Sequence, residues 1–403
     1  MDLRNLTIVV GLFFSVFVIG ADSFIISPLL PAMAHDFSAS ISAVSLAVTL
    51  YAICYAVGSP IFGPLGDRFE RRKLLLFGMS VFLIATVLCA TVHSLTAFYV
   101  FRAIAGLGAA FTMPNIWALI GSHFHGRLMG TVMGVVMSAL SLSIAVGVPL
   151  GTALSALSDW HMAFWGSAAL GVVALALLWA TAPKSQPVAT ADNASARTSL
   201  RSSYATSYSR VLHTKPTLLG LALTLVWMFA FYSVYTFLGT FIAQNFHFTT
   251  AQSGLVFIAY GAGNFLASFL SGFAASKLGT KHAIAINGAL SGLLVLGIAG
   301  WGSSLIVLIP LLLLLALAQG FGVPPITAYI VGTVPSQRST VTSLNNAMLY
   351  LGLSLASGVG APIITGVSFA AVCIMAAVAF LVATVLACSL RGHKVIKQQD
   401  RRL

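Results

Sequence analysis

Long uninterrupted apolar runs leave this chain few folds to choose from. They fall at about residues 7–29, 42–62, 74–91, 96–118, 129–154 and 163–182, and again at about 216–242, 252–274, 283–301, 305–331, 340–363 and 368–389. Each is long enough to cross a ~30 Å hydrocarbon core as a helix rising about 1.5 Å per residue. Only 7% of the 403 residues are charged, where a soluble domain carries about 25%. A large soluble domain is therefore excluded. The expected fold is an all-α membrane protein of twelve transmembrane helices. The first run is too long for a secretory signal, and no small-residue cleavage pattern follows it before Pro31, so it reads as a retained span.

The formal charge of +12 invites a nucleic-acid reading, but the position of the charges removes it. Every Lys and Arg except Arg102 lies in alternate connectors or at the termini: Arg4, then Arg68 to Lys73, Arg127, Lys184 to Lys215, Lys277 and Lys281, Arg338, and Arg391 to Arg402. The intervening connectors carry none. Basic residues mark the cytoplasmic side, so the expected topology has both termini cytoplasmic in a cell membrane. The polar stretch 183–214 has no sustained apolar period and reads as a cytoplasmic linker. It separates an N-terminal six-helix bundle (1–182) from a C-terminal one (215–390), followed by a basic tail (391–403).

The two halves echo each other. Gly63 to Arg68 after the second run matches Gly272 to Lys277 after the eighth, Gly106 and Gly108 match Gly320 and Gly322, and Ser141 to Pro149 matches Ser354 to Pro362. Parallel six-span repeats are a transporter architecture, with a substrate site between them near the midplane.

These motifs also carry a family resemblance. Gly63, Leu65, Gly66, Asp67, Arg68, Glu70, Arg71 and Arg72 resemble the loop signature of the major facilitator superfamily, with Glu70 in place of its glycine. Arg102 to Gly108 is similar to that superfamily's fourth-helix signature in proton-driven members. Asp22 with Leu30 and Pro31, the Glu70 to Lys73 run, and Gly147 to Gly151 resemble the twelve-span drug:proton antiporter family, in particular its sugar-efflux and purine-efflux (arabinose-efflux-like) branch. The fifth helix departs from the antiporter signature by placing Val148 between Gly147 and Pro149. The resemblance implies a major facilitator fold, proton-coupled efflux, a proton role for Asp22, and a conformational latch at Gly63, Asp67 and Arg68. Proton-linked uptake or facilitated diffusion is the alternative.

Of the eight acidic residues only Asp22 lies inside a run, and Arg102 is its only basic counterpart. A charge at the bilayer centre costs at least about 2.5–3.5 kcal/mol, so such residues mark function by default. Helical rise puts Asp22 about 22 Å into the first run and Arg102 about 10 Å in from the opposite side, hence at similar depth. The pair can exchange protons, or it can be a structural ion pair. Gly147, Pro149 and Gly151 permit close packing and a local kink, and Pro324 and Pro325 suggest a bend in the tenth helix. Arg71, Arg72 and Lys73 read as topology anchors on anionic lipid.

Candidate cavity residues recur at helical spacing: Trp227, Phe231 and Tyr235; Tyr260 and Asn264; Asn346, Tyr350 and Ser354. Amides and hydroxyls avoid lipid because each needs a partner. The histidines fall in connectors or at helix ends and read as surface residues, and the four cysteines have no metal or disulfide spacing, so no metal is expected. No phosphate-binding glycine loop is present, and one buried carboxylate does not make an active site, so neither an enzyme nor a cofactor is expected. The expected partners are a small-molecule substrate, protons and the bilayer, without nucleic acid, for a chain acting as a monomer. Cysteines introduced near residues 35, 159 and 304 should label from outside the cell, whereas one at position 195 should label only after permeabilisation; the reverse pattern would overturn the topology.

Overall fold

The computed structural model describes residues 3–63, 65, 69–183, 208–334 and 338–390, with the backbone alone at 127, 268–278, 338 and 339. Among these, all regular structure is helical. The first span is Leu3–Phe24 continued by Ile26–Asp36, the second Ile41–Phe62, the third Arg71–Cys89 and the fourth Leu95–His123. The fifth combines Gly126–Leu142, a π-turn Ser143–Gly147 and Val148–Ser155, and the sixth is His161–Thr181. The second half follows as Lys215–Phe246, Thr250–Leu278, Thr280–Trp301, Leu305–Thr333, Arg338–Gly366 and Phe369–Cys388. Leu46, Ile84, Leu293, Ile306 and Leu381 are among many large apolar side chains left exposed on the outside of the bundle, as a lipid-facing surface requires. The face carrying Arg4 and the second–third connector is called the basic face below.

Within each half the same pairs pack: second with fourth and third with fourth, as eighth with tenth and ninth with tenth. The repeated glycines explain how. A Cβ on Gly106 would run into the backbone of Tyr51 in the second span, and one on Gly108 into the backbone of Phe82 in the third. The fourth helix is thus wedged between two neighbours on opposite faces. Gly320 repeats the first contact, meeting Ala267 of the eighth span.

Between the halves the second span packs on the eleventh, the fifth on the eighth, and the end of the first on the seventh. The first span breaks where its sequence demands it. Pro28 and Pro31 lack N–H groups, which frees the carbonyls of Phe24 and Ser27 from their helical partners. The seventh span covers both: the Tyr235 hydroxyl donates to Phe24 O at 3.4 Å, and Gly239 packs on Ser27 O and the Pro28 backbone, where a Cβ would collide. Ser27 in turn enters the seventh helix's own ladder. Its hydroxyl donates to Tyr235 O at 2.6 Å and accepts from Gly239 N at 3.3 Å.

The tenth helix stays helical from Leu305 to Thr333 through Pro324 and Pro325, because neighbouring helices can cover freed carbonyls in a membrane protein. One expectation changes. The polar stretch between the halves regains helical structure at 208–212, where Val211 is buried and the Tyr208 hydroxyl donates to Pro60 O at 2.6 Å. Residues 184–207 and the tail 391–403 lie outside the described residues.

Replacing Gly106 by Leu should destabilise the bundle by at least about 1–3 kcal/mol through overpacking against the second span. Gly134, whose added Cβ meets nothing within 4 Å, should tolerate Ala with no loss. Thermal unfolding of the purified proteins in detergent checks both; equal melting temperatures would refute the wedge.

Candidate functional site

Asp22 sits three residues before the break in the first span, and Arg102 two turns into the fourth. Their side chains meet: Arg102 Nη1 donates to Asp22 Oδ2 at 2.5 Å, with exposures of 1% and 0%. Burial this complete makes the pairing obligatory, since either charge alone would be stranded in a low-dielectric interior. Aromatic faces complete the enclosure of the guanidinium, with the Tyr51 ring centroid 4.4 Å and the Phe164 centroid 6.0 Å from Arg102 Cζ. Ser23 donates to the Tyr51 hydroxyl at 2.9 Å, fixing that ring. Asp22 Oδ1 and Arg102 Nε have no hydrogen-bond partner among the described residues.

Tyr51 links this pair to the other half. It lies one turn before Tyr55 on the second span, and Tyr55 stacks on Tyr350 of the eleventh with centroids 3.5 Å apart. Candidate cavity residues of the seventh and eighth spans form a second aromatic group with Phe24 of the first. Phe231 and Tyr235 of the seventh span lie 5.8 and 5.7 Å from the Tyr260 ring, and Phe24 lies 5.2 Å from Tyr235. Asn264 accepts from Ser141 across the halves at 2.9 Å. Asn346, one turn before Tyr350, leaves its buried Nδ2 without a partner among the described residues.

The structure places several residues away from where spacing alone put them. Trp227 does not join Phe231 and Tyr235. Its indole donates to Gln319 of the tenth span at 2.6 Å and its ring meets Phe380 of the twelfth at 5.6 Å, deep in the C-terminal bundle. A period of four drifts around a 3.6-residue helix, so residues eight apart come to face different neighbours. Gly63 keeps a helical φ of −55°, and Ser343 of the eleventh span presses on it where a Cβ would stand. Gly147 closes the π-turn and packs on Ala21, Gly151 packs on Ile25, and Gly261 of the eighth span is seated on the Ala145 N and Cα inside the π-turn that precedes Pro149. Asp67 and Arg68 lie outside the described residues.

Arg71 is no lipid anchor. It is buried and donates to Ala118 O of the fourth span at 2.9 Å, while Lys73 pairs with Glu70 at 3.3 Å. His161 is not a surface residue either. It is buried, with Nδ1 3.0 Å from Asp159 and Nε2 2.7 Å from Val92 O. No group of three metal-ligating side chains occurs among the described residues.

Sequence reasoning passed over Tyr51 and Tyr55, although they share the i, i+4 spacing used elsewhere. It also passed over Ser27, Gly239 and Gln319, whose partners lie far along the chain.

Arg102→Met should lower folded yield sharply, since breaking a buried pair costs about 3–5 kcal/mol. Asp22→Asn combined with Arg102→Met should recover much of that loss. Size-exclusion profiles and melting temperatures of the singles and the double check it, and strict additivity would show that the two residues do not act as a pair.

Comparison with known proteins accords with this arrangement. The sequence profile of the Major Facilitator Superfamily matches residues 12–249 and 228–401. The chain is 31% identical over 361 residues to the MFS-type transporter YceJ of Bacillus subtilis, covering 87% of each chain. It is 26% identical over 288 residues to the inner membrane transport protein YdhP of Escherichia coli, covering 70% of this chain and 67% of that protein. A shorter stretch of 81 residues, 20% of this chain and 21% of that protein, is 36% identical to multidrug resistance protein D of Escherichia coli. The solved structure of the human organic anion transporter MFSD10 superposes with a TM-score of 0.73 at 18% identity, covering 96% of this chain and 100% of that one. With a twelve-span repeat, a profile match across both halves and a relative aligned over most of its length, the chain belongs to the Major Facilitator Superfamily.

Proposed function

We propose that this transporter exports a small organic solute in exchange for protons, by alternating access between its two halves in a cell membrane, with the basic face cytoplasmic. The observation that carries the reading is the buried Asp22–Arg102 pair. Asp22 Oδ2 is committed to Arg102 while Oδ1 has no partner among the described residues, so a proton has a free oxygen to bind. Protonation removes the anion that holds Arg102, and the guanidinium keeps a partner in the Tyr51 ring. Tyr51 and Tyr55 share the second span, so this change reaches the Tyr55–Tyr350 stack that joins the halves. The proton site and the interface that must open are thus one contact chain.

The ion pair has no net charge, and no other acid lies inside the apolar runs. The solute is therefore held by rings and amides: Phe231, Tyr235, Tyr260, Asn264, Asn346 and Tyr350. Such a lining suits a neutral or aromatic molecule better than a cation that needs a free carboxylate. Relatives named for multidrug resistance support export as the direction. Asp67 and Arg68, with Gly63, serve as the conformational latch on the strength of their motif, and Gly147, Pro149 and Gly151 as the hinge of the fifth span. The working unit is the monomer.

Proteoliposomes loaded with a pH-sensitive dye test this. A purine nucleoside and the cation ethidium serve as probes under an imposed proton gradient. Asp22→Asn should abolish gradient-driven accumulation while leaving solute exchange without a gradient within about tenfold of wild type. Full proton-driven transport by Asp22→Asn would sink the coupling role. Accumulation driven in the same direction as the proton flux would show uptake instead of export.

A further inference from the structure

We propose that a crevice on the basic face, between the ends of the first, third and sixth spans, binds the phosphate head group of an acidic phospholipid. The crevice has a volume of about 330 Å³ and is lined by Arg4, Thr7, Arg72, Thr181 and Pro183 together with Ala180 and Ala182. No acidic side chain is among these residues.

The two arginines reach it for different reasons. The last turn of a helix leaves carbonyls without helical donors, and Arg72 Nη2 donates to one of them, Trp179 O of the sixth span, at 2.5 Å. That contact anchors the side chain at the rim and leaves other N–H groups of a five-donor fork for a ligand. Arg4 stands on the first turn of the first span and makes no ion pair or side-chain hydrogen bond among the described residues. Two guanidinium groups converging on one crevice are suited to a phosphate, which accepts paired hydrogen bonds from each.

The flanks show that the ligand is a lipid. Leu3 and Leu6 stand on either side of Arg4 at 77% and 49% exposure, and Trp179 at 67% adjoins Ala180. An indole at this level marks the boundary between head groups and acyl chains. Exposed apolar side chains adjoining the lining residues in sequence thus offer fatty chains a place to lie. Basic crevices between spans are sites for acidic lipid head groups. Asp2 precedes Arg4 by two positions, while the stretch 184–207 after Pro183 holds Lys184, Arg197 and Arg201 against Asp192 alone.

Native mass spectrometry of the full-length protein in detergent, titrated with equimolar phosphatidylglycerol and phosphatidylcholine micelles, tests the site. Wild type should retain one phosphatidylglycerol in preference to phosphatidylcholine. Affinity should fall about fivefold for each arginine removed in Arg4→Gln and Arg72→Gln. The paired Arg4→Lys and Arg72→Lys replacement, which keeps the charge but not the paired hydrogen bonds, should keep only part of the preference. Lys73→Gln, which removes a neighbouring charge outside the crevice, should change nothing. If Arg72→Gln fails to fold, Arg4→Gln alone decides, because that side chain makes no ion pair or hydrogen bond among the described residues. Unchanged phosphatidylglycerol retention in Arg4→Gln, or equal loss in Lys73→Gln, would overturn the site. Inorganic phosphate alone should leave the melting temperature unchanged. A phosphate shift as large as that given by phosphatidylglycerol would identify a soluble phosphate ligand and overturn the lipid assignment.

Discussion

Inside a bilayer every backbone donor and acceptor must find its partner within protein, and irregular backbone survives only where another helix covers it. That constraint organises this molecule. The first span breaks at Phe24 because Pro28 cannot donate, the fifth takes a π-turn ahead of Pro149, and the seventh admits a foreign hydroxyl between Tyr235 O and Gly239 N. All three irregularities lie where one half meets the other. The break follows directly on Asp22, so the charge and the pliable backbone share one short segment.

The halves share topology but differ in chemistry. In the first half the first and fourth spans are joined by a buried ion pair. In the second half the corresponding seventh and tenth spans are joined by a neutral bond, Trp227 donating to Gln319, which in turn donates to Ser291 of the ninth span at 3.3 Å. A neutral link holds a bundle together without depending on protons. Among the described residues only the first half buries an ionisable pair within its spans, so the proposed proton coupling attaches to one site and not to two.

Contacts along the second–eleventh interface differ in kind from contacts inside each half, whereas Gly239 and Gly261 make backbone contacts between the halves elsewhere. Within a half, glycines bring helix backbones together, as Gly106 does against Tyr51 and Gly263 against Leu313 of the tenth span. Between halves, single hydrogen bonds and ring contacts recur from one end of the second–eleventh interface to the other: Ser357 to Ser45 O at 2.8 Å, Tyr55 on Tyr350, and Ser59 to Ser343 O at 3.3 Å. Each such bond is worth about 0.5–1.5 kcal/mol. Rigid bundles joined by individually weak bonds can rock against each other without coming apart.

The sequence by itself determined the spans, the repeat, the placement of basic residues and the two charges that had to be explained, because apolar length and intramembrane charge cost are local quantities. It also determined that Asp22 and Arg102 lie at similar depth, since helical rise is fixed. Tertiary structure alone decided that they touch, because rotation about a helix axis is set by packing against neighbours. The same freedom sent Trp227 into the C-terminal bundle while Phe231 and Tyr235 stayed with Tyr260, and turned Arg71 inward while Arg72 reached the end of the sixth span. Ser27 shows the limit most plainly: a serine between isoleucine and proline carries no sign that its partner is a backbone carbonyl more than two hundred residues away. Hydrogen bonds between distant segments leave no period in the sequence, so only the folded chain reveals them.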